Sequence, residues 1–96
     1  SPWCRCVETA RLAFGRSRSW DALANVFGRP QNVAAQLKAL RPRVAAHRGK
    51  DNLVLVTHGS TTAALTGVSP ATGEIVVLTP GGRDGFRVAG RLIPWN

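Results

Sequence analysis

The chain has 96 residues and a formal charge of +8, with thirteen Lys and Arg side chains against five acidic ones. This length limits the chain to one domain with a small hydrophobic core and excludes a multidomain protein. The charge favours anionic partners, but the basic residues are spread along the chain without a helix-turn-helix, zinc-finger or aromatic-stacking signature, which does not favour nucleic acid. No segment is long and apolar enough to span a membrane, so no membrane partner is expected.

The first predicted element is a short helix over residues 2–14. Ser1 is a suitable N-cap, Pro2 fits the first helical position, and Gly15 is a typical helix stop. Arg5 lies in the first turn, where its guanidinium can bind a phosphate or carboxylate with two hydrogen bonds. The predicted apolar stripe of this helix has helical spacing and comprises Cys6, Ala10, Ala13 and Phe14.

Two further helical segments are predicted before residue 50. Asp21 opens residues 20–27, and an aspartate before an Ala-Leu-Ala run is a good N-cap. Residues 30–48 form a longer helix, in which Pro42 should produce a kink because it lacks an amide donor. The apolar face predicted for this helix comprises Val33, Leu37, Leu40 and Val44.

An apolar run at residues 53–57 ends abruptly at His58 and Gly59. The run has no polar alternation, so it predicts a strand covered on both faces, as in a parallel or mixed sheet flanked by helices. Open α/β sheets bind ligands at the carboxyl ends of such strands, where His58 lies. Gly59 permits close approach of a ligand, and the helix that opens at Ser60 and ends near Gly67 directs unpaired amides there, which favours an anion. A histidine at a strand end is also often structural, so a second motif is needed.

The chain is predicted to end in two strands, at residues 74–79 and 86–93. The glycine-rich segment 80–85 between them lacks the Lys-Ser/Thr ending of a phosphate loop, and it is predicted to be a hairpin turn. Glu74 at the start of the first of these strands is expected to be solvated. These predicted helices and strands together fit part of one α/β domain.

Two segments form the most specific pattern in the sequence: S-P-x-x-R-x-x-E-T-A at residues 1–10 and V-T-H-G at residues 56–59. In this order they resemble the histidine phosphatase superfamily, the phosphoglycerate-mutase-like phosphomonoesterases and mutases. The resemblance implies a phosphate pocket of two histidines and two arginines, in which Arg5 is the second arginine and His58 the second histidine. It implies hydrolysis of a phosphate monoester, on a small molecule or a phosphoprotein, through a phosphohistidine intermediate and without a cofactor or a metal.

The family's nucleophilic histidine belongs to an Arg-His-Gly motif on a first strand, and no such motif occurs in this chain. We therefore expect residues 1–96 to be the C-terminal part of one histidine phosphatase domain, a partial three-layer α/β/α sandwich that lacks its first strand. Alone it is expected to bind phosphate weakly and to be inactive. The absent strand would lie beside residues 53–57, leaving an open apolar edge for self-association or for pairing with the missing N-terminal segment.

Several points stay open at this level. A general acid must protonate the leaving oxygen, and Asp21 is a candidate, although the sequence favours a helix cap for it. Cys4 and Cys6 are two residues apart on a helix, which suits neither a disulfide nor a complete zinc site. A non-catalytic phosphate-binding pseudoenzyme and a basic nucleic-acid-binding protein are the alternative functions. The substrate, the oligomeric state and the localisation are not predicted.

Overall fold

The computed structural model describes residues 1–81 and 85–93. Helices and strands are combined in a small mixed domain, in agreement with the α/β class in general, while a three-layer sandwich is not shown by these residues. No helix within them has the length and apolar character needed to cross a membrane. The elements are the helices α1 (Cys4–Phe14), α2 (Pro30–Ala45) and α3 (Gly59–Thr66), the strands β1 (Ile75–Pro80) and β2 (Phe86–Leu92), and a 3₁₀ helix at Asp21–Leu23.

Helix α1 begins two residues later than predicted, and Ser1 is not its N-cap. Trp3 occupies the cap position without a side-chain cap, and the amide of Trp3 donates to Oγ of Ser1 at 3.2 Å. The Ser1 hydroxyl lies against His58 rather than over the helix amides. Gly15 ends the helix as predicted, with a left-handed φ of 78° that glycine adopts without strain.

The predicted apolar stripe of α1 is only partly buried. Cys6 is buried and Ala10 half-buried, whereas Ala13 and Phe14 are exposed. Helical spacing predicts which residues share one face of the helix, but burial of that face also requires another part of the protein to pack against it. The carboxyl-terminal half of α1 therefore carries apolar side chains into solvent.

Helix α2 supplies the centre of the core. The predicted apolar face is confirmed, since Leu40 and Val44 are buried and Val33 and Leu37 half-buried. The helix contains Pro42 and ends at Ala45, three residues before the predicted end. The buried core cluster comprises Ala22, Leu23, Leu40, Val44 and Leu65.

The segment around Asp21 folds differently from the prediction. Residues Asp21–Leu23 form a single 3₁₀ turn whose N-cap is Trp20, and Asp21 makes no side-chain cap. The turn is held from outside, because the side-chain amide of Gln36 on α2 donates to the carbonyls of Ala22 and Ala24 at 2.9 and 2.8 Å. A tertiary contact thus replaces the local cap that the sequence suggested.

Strands β1 and β2 form the predicted antiparallel hairpin. The amide of Gly81 donates to the carbonyl of Gly85 at 2.9 Å, and residues 82–84 of the predicted turn lie outside the described residues. Glu74 is not solvated as expected: its side chain is 3% exposed. Its carboxylate accepts from Nε and Nη2 of Arg91 at 2.6 and 2.7 Å and from the amide of Ala71 at 2.9 Å.

Residues 53–57, predicted to be a covered strand, belong to no helix or strand of the structure. None of their amides donates to a backbone carbonyl of another described residue. Leu53 and Val54 are exposed, whereas Leu55 packs against the core. A β-strand is defined by its backbone hydrogen bonds to a neighbouring strand. Strands β1 and β2 pair with each other and not with this segment. The segment carries strand-type residues without a strand partner.

Candidate phosphate-binding site

His58 stands at the junction between residues 53–57 and helix α3. It is the N-cap of α3, with an extended backbone at φ −117° and ψ 156°, and its carbonyl accepts from the amide of Thr62 at 2.9 Å. The side chain is 6% exposed. His58 thus lies directly before α3, as the sequence predicted, but it follows an irregular segment rather than the predicted buried strand.

The structure brings Arg5 and His58 together. Nη2 of Arg5, in the first turn of α1, donates to Nδ1 of His58 at 3.1 Å across 53 residues of sequence. Arg5 is exposed, and its guanidinium has four N–H donors besides the one that His58 accepts. A cation with free donors beside a buried imidazole is an arrangement that suits an oxyanion.

Trp3 packs against both members of the pair. Its ring meets the His58 ring edge to face, with centroids 4.8 Å apart and an interplanar angle of 69°. The guanidinium carbon of Arg5 lies 5.1 Å from the centroid of the same indole, at cation–π distance. Trp3 therefore restricts the positions of the guanidinium and the imidazole at once, a role that the sequence did not indicate.

The second ring nitrogen of His58 faces Ser1 and Cys6. Oγ of Ser1 lies 2.8 Å from Nε2, and Sγ of Cys6 lies 3.8 Å from the same atom. Cys6 also donates weakly to the carbonyl of Thr57 at 3.7 Å. The sequence predicted Ser1 to be the N-cap of α1, because a motif alone does not show which side chain faces the histidine.

Burial lowers the pKa of His58 below its ordinary value of 6.5, and the charges of Arg5 and of the Ser1 amino group lower it further. That amino group donates to the carbonyl of Val56 at 2.6 Å, and burial lowers its own pKa. His58 is therefore neutral at neutral pH, with the lone pair of Nδ1 directed at Arg5. The neutral ring can take up a proton when an anion offsets the neighbouring positive charge.

Gly59 follows His58 at the first position of α3 and is exposed. A Cβ atom built on Gly59 would meet no atom within 4 Å, and its φ does not lie in the left-handed region. The fold itself does not need glycine there. The glycine instead leaves the opening turn of α3, with its unpaired amides, open to a ligand.

Hydroxyl groups join this junction to the loop after the 3₁₀ helix. Thr57 Oγ1 donates to the carbonyl of Leu23 at 2.5 Å, and Thr61 Oγ1 donates to that of Ala24 at 2.7 Å. Ser60 Oγ donates to Oδ1 of Asn25. These hydrogen bonds hold the start of α3 to the core, and their partners are too distant in sequence for a motif to reveal.

Asp21, the predicted candidate for the general acid, is exposed and makes no side-chain hydrogen bond to Arg5 or His58. Glu8, three residues after Arg5 on α1, accepts from Nη2 of Arg11 at 2.7 Å. Neither carboxylate is therefore a hydrogen-bond partner of the Arg5–His58 pair.

The cysteines and an open groove do not extend the site. Cys4 and Cys6 are free thiols, the first exposed and the second buried, and within residues 1–81 and 85–93 no three His, Cys, Asp or Glu side chains are grouped as metal ligands. A groove of about 450 Å³ lies between α3 and β2, and its lining includes Arg41 and Phe86 but neither Arg5 nor His58.

A scan against protein-family models and searches of curated proteins and of solved structures found no match to this chain. Two observations single out Arg5 and His58: the motif pair in the sequence, and the contact that joins the two side chains in the structure. The two are independent, because a motif pair in sequence does not determine the distance between its members.

Proposed function

We propose that this chain is the phosphate-binding part of a phosphomonoester hydrolase of the histidine phosphatase type. On this proposal it forms the C-terminal part of a three-layer α/β/α domain, and Arg5 and His58 bind the transferring phosphoryl group. One observation carries the proposal: Arg5 Nη2 and His58 Nδ1 lie 3.1 Å apart although 53 residues separate them in sequence. Both residues are those that the family resemblance selects.

The geometry supports a role in charge stabilisation. Phosphoryl transfer spreads negative charge over the equatorial oxygens, and preorganised donors stabilise that charge. Arg5 offers exposed N–H donors, and His58 offers Nδ1 once it is protonated. The amides that open α3 beside Gly59 add donors of fixed direction.

The attack on phosphorus is assigned to another segment. A neutral imidazole would displace the leaving oxygen and form a phosphohistidine, which water then hydrolyses. Nε2 of His47, the other histidine of the chain, donates to the carbonyl of Asp51 at 2.9 Å rather than to the Arg5–His58 pair. The nucleophile would come from a strand that pairs with residues 53–57, whose backbone groups lack a ladder partner among the described residues.

The first experiment measures inorganic phosphate binding by the 96-residue chain. Arg5→Ala and His58→Ala are expected to weaken phosphate binding by about tenfold or more, since each removes a charge-assisted contact. Arg16→Ala and His47→Ala are matched controls, because Arg16 is exposed beyond the end of α1 and His47 lies beyond the end of α2, where it hydrogen-bonds to Asp51. Equal affinity in all five proteins would contradict the proposal.

The second experiment uses a longer polypeptide that includes the preceding reading frame. If that frame encodes an Arg-His-Gly strand, hydrolysis of p-nitrophenyl phosphate should fall by about 10²-fold or more in Arg5→Ala and in His58→Ala. A frame without that strand would support the non-catalytic pseudoenzyme. Salt-dependent retention on DNA that survives both substitutions would favour the nucleic-acid alternative.

A further inference from the structure

We propose that Ser1 is a positioning residue of this site, which accepts the Nε2–H of His58 so that the ring presents Nδ1 to Arg5 and to a bound oxyanion. The statement that the ring presents Nδ1 to an oxyanion rests on the proposed function. The statement that Ser1 fixes the orientation of the ring concerns the free protein and does not depend on that function. Ser1 was predicted to cap α1, so this role adds a residue to the site.

The tautomer of His58 follows from the donors and acceptors around it. Arginine has N–H donors and no acceptor, so Nδ1 of His58 must accept the hydrogen bond from Arg5 at 3.1 Å. A neutral imidazole with an unprotonated Nδ1 carries its proton on Nε2. The nearest acceptor to that proton is Oγ of Ser1 at 2.8 Å.

The Ser1 hydroxyl is itself held in place. Its oxygen accepts from the amide of Trp3 at 3.2 Å, which occupies one lone pair and leaves the other for Nε2–H of His58. Ser1 and His58 are 7% and 6% exposed, so water has little access to this hydrogen bond. The only other described side-chain partner at Nε2 is Sγ of Cys6 at 3.8 Å, a weak acceptor.

Orientation of the ring matters for anion binding. A half-turn of the imidazole about its Cβ–Cγ bond would exchange each nitrogen with a carbon, so Arg5 and Ser1 would both face carbon atoms. An oxyanion that draws Arg5 away leaves Ser1 as the remaining hydrogen-bond partner of the ring. Ser1 thus holds the ring at the moment when Nδ1 changes its partner.

The oxyanion also changes the charge of the ring. The Arg5 guanidinium and the Cys6 thiol are the ionisable side chains that lie against His58 among the described residues. The Arg5 charge opposes a charged ring in the free protein, and in the 96-residue chain the Ser1 amino group adds to this effect. A bound phosphate offsets this positive charge, so Nδ1 takes up a proton from solvent, keeps it and donates a hydrogen bond to a phosphate oxygen, while Nε2–H stays hydrogen-bonded to Ser1.

The test is ¹⁵N NMR of the imidazole nitrogens in the 96-residue chain, with His47→Gln as background so that His58 is the only histidine. Before phosphate is added, Nε2 is expected to be protonated, with a slowly exchanging hydrogen, and Nδ1 unprotonated. Titration with inorganic phosphate should protonate Nδ1 and leave Nε2 protonated. The α1 amide signals show whether each variant is folded.

Two substitutions separate positioning from a general structural role. Ser1→Ala should abolish the slow exchange of Nε2–H and weaken phosphate binding by about tenfold, the equivalent of one charge-assisted hydrogen bond. Ser1→Thr keeps the hydroxyl and should restore both. Both variants leave Pro2 and the residues of α1 unchanged. Their α1 amide spectra can therefore be compared directly with that of the wild-type chain, and a variant that fails to fold is identified by the loss of those signals.

Two results would overturn the proposal: a proton on Nδ1 rather than Nε2 in the free protein, or wild-type nitrogen shifts and wild-type phosphate affinity in Ser1→Ala. Failure of the proposed function has a different signature. In that case the ring signals still depend on Ser1, but phosphate changes neither nitrogen of His58.

Discussion

The Arg5 guanidinium donates to Nδ1 of His58 at 3.1 Å, so a permanent cation lies against an imidazole that is otherwise buried. Burial lowers the pKa of His58, and the charge of Arg5 at this contact lowers it further. The pair contains a positive charge on Arg5 and no negative charge to balance it. A phosphate bound between the two side chains would supply that negative charge. The contact therefore links the protonation of His58 to the ligand that the site is proposed to bind.

Arg5→Ala is expected to raise the pKa of His58 towards its ordinary value of 6.5, because it removes a positive charge beside Nδ1. Burial continues to lower the pKa, so the recovery is expected to be incomplete. A pH titration of the His58 ring signals by NMR measures the change. Arg16→Ala is the control and should leave this pKa unaltered; an unaltered pKa in Arg5→Ala would show that the contact does not form in solution.

Local signals in the sequence were sufficient for much of the fold. Helix α3 and its stop at Gly67, the apolar face of α2 and the β1–β2 hairpin were all predicted within a few residues. Each depends on periodicity, capping or turn chemistry that neighbouring residues determine.

Contacts between segments that are distant in sequence were harder to predict from the sequence. The motif pair correctly selected Arg5 and His58 as neighbours, but the cap position of Ser1 and the covered strand at residues 53–57 were wrong. Ser1 has a tertiary partner that outcompetes the local cap, and a strand depends on a neighbour that a local pattern does not supply. The roles of Trp3 and Asn25 have no signal in the sequence, because they consist only of such contacts.

Stability is expected to depend on pH through His58. Its folded pKa lies below the unfolded value of about 6.5, so the unfolded state binds more protons between the two values and the free energy of unfolding rises with pH there. This contribution is complete above the unfolded pKa and is lost as the pH falls through the folded pKa. Urea titrations at several pH values measure it.

His58→Gln should flatten that dependence, since glutamine does not titrate, whereas His47→Gln, which changes a histidine beyond the end of α2 and leaves His58 in place, is the control and should retain it. Equal slopes in the wild-type chain and in His58→Gln would show that another group is responsible. Added phosphate should reduce the wild-type slope, because it favours the protonated ring in the folded state.

Gly59→Ala separates binding from folding. The free energy of unfolding should stay unchanged or rise by up to about 1 kcal/mol, since alanine favours helices more than glycine does and a Cβ at this position meets no atom. Phosphate affinity should fall, because the methyl group occupies space beside the first amides of α3. Gly90→Ala is the control, since a Cβ there also meets no atom. Unchanged phosphate affinity in Gly59→Ala would show that the first amides of α3 do not bind phosphate.

Leu40→Ala tests the core that holds α2 against α3 and the 3₁₀ helix. Leu40 is 0% exposed, so the truncation should lower the free energy of unfolding by about 2–5 kcal/mol, which denaturant titration measures. Leu12→Ala is the matched control, because Leu12 is 76% exposed on α1. Comparable losses in the two variants would mean that α1 packs on a layer in solution that covers Leu12.

Val54→Lys tests the open edge at residues 53–57. Val54 is 52% exposed, and the amides of its segment donate to no backbone carbonyl of the described residues. Apolar segments with free backbone groups pair with other chains, and a lysine on the edge opposes that pairing. We therefore expect the wild-type chain to self-associate with rising concentration and Val54→Lys to shift towards monomer in sedimentation equilibrium.

Leu12→Lys is the control, because it places the same charge on an exposed leucine of α1, and it should leave the association unchanged. If the two lysine variants weaken the association equally, then general exposure of apolar side chains causes it, and strand pairing at residues 53–57 does not.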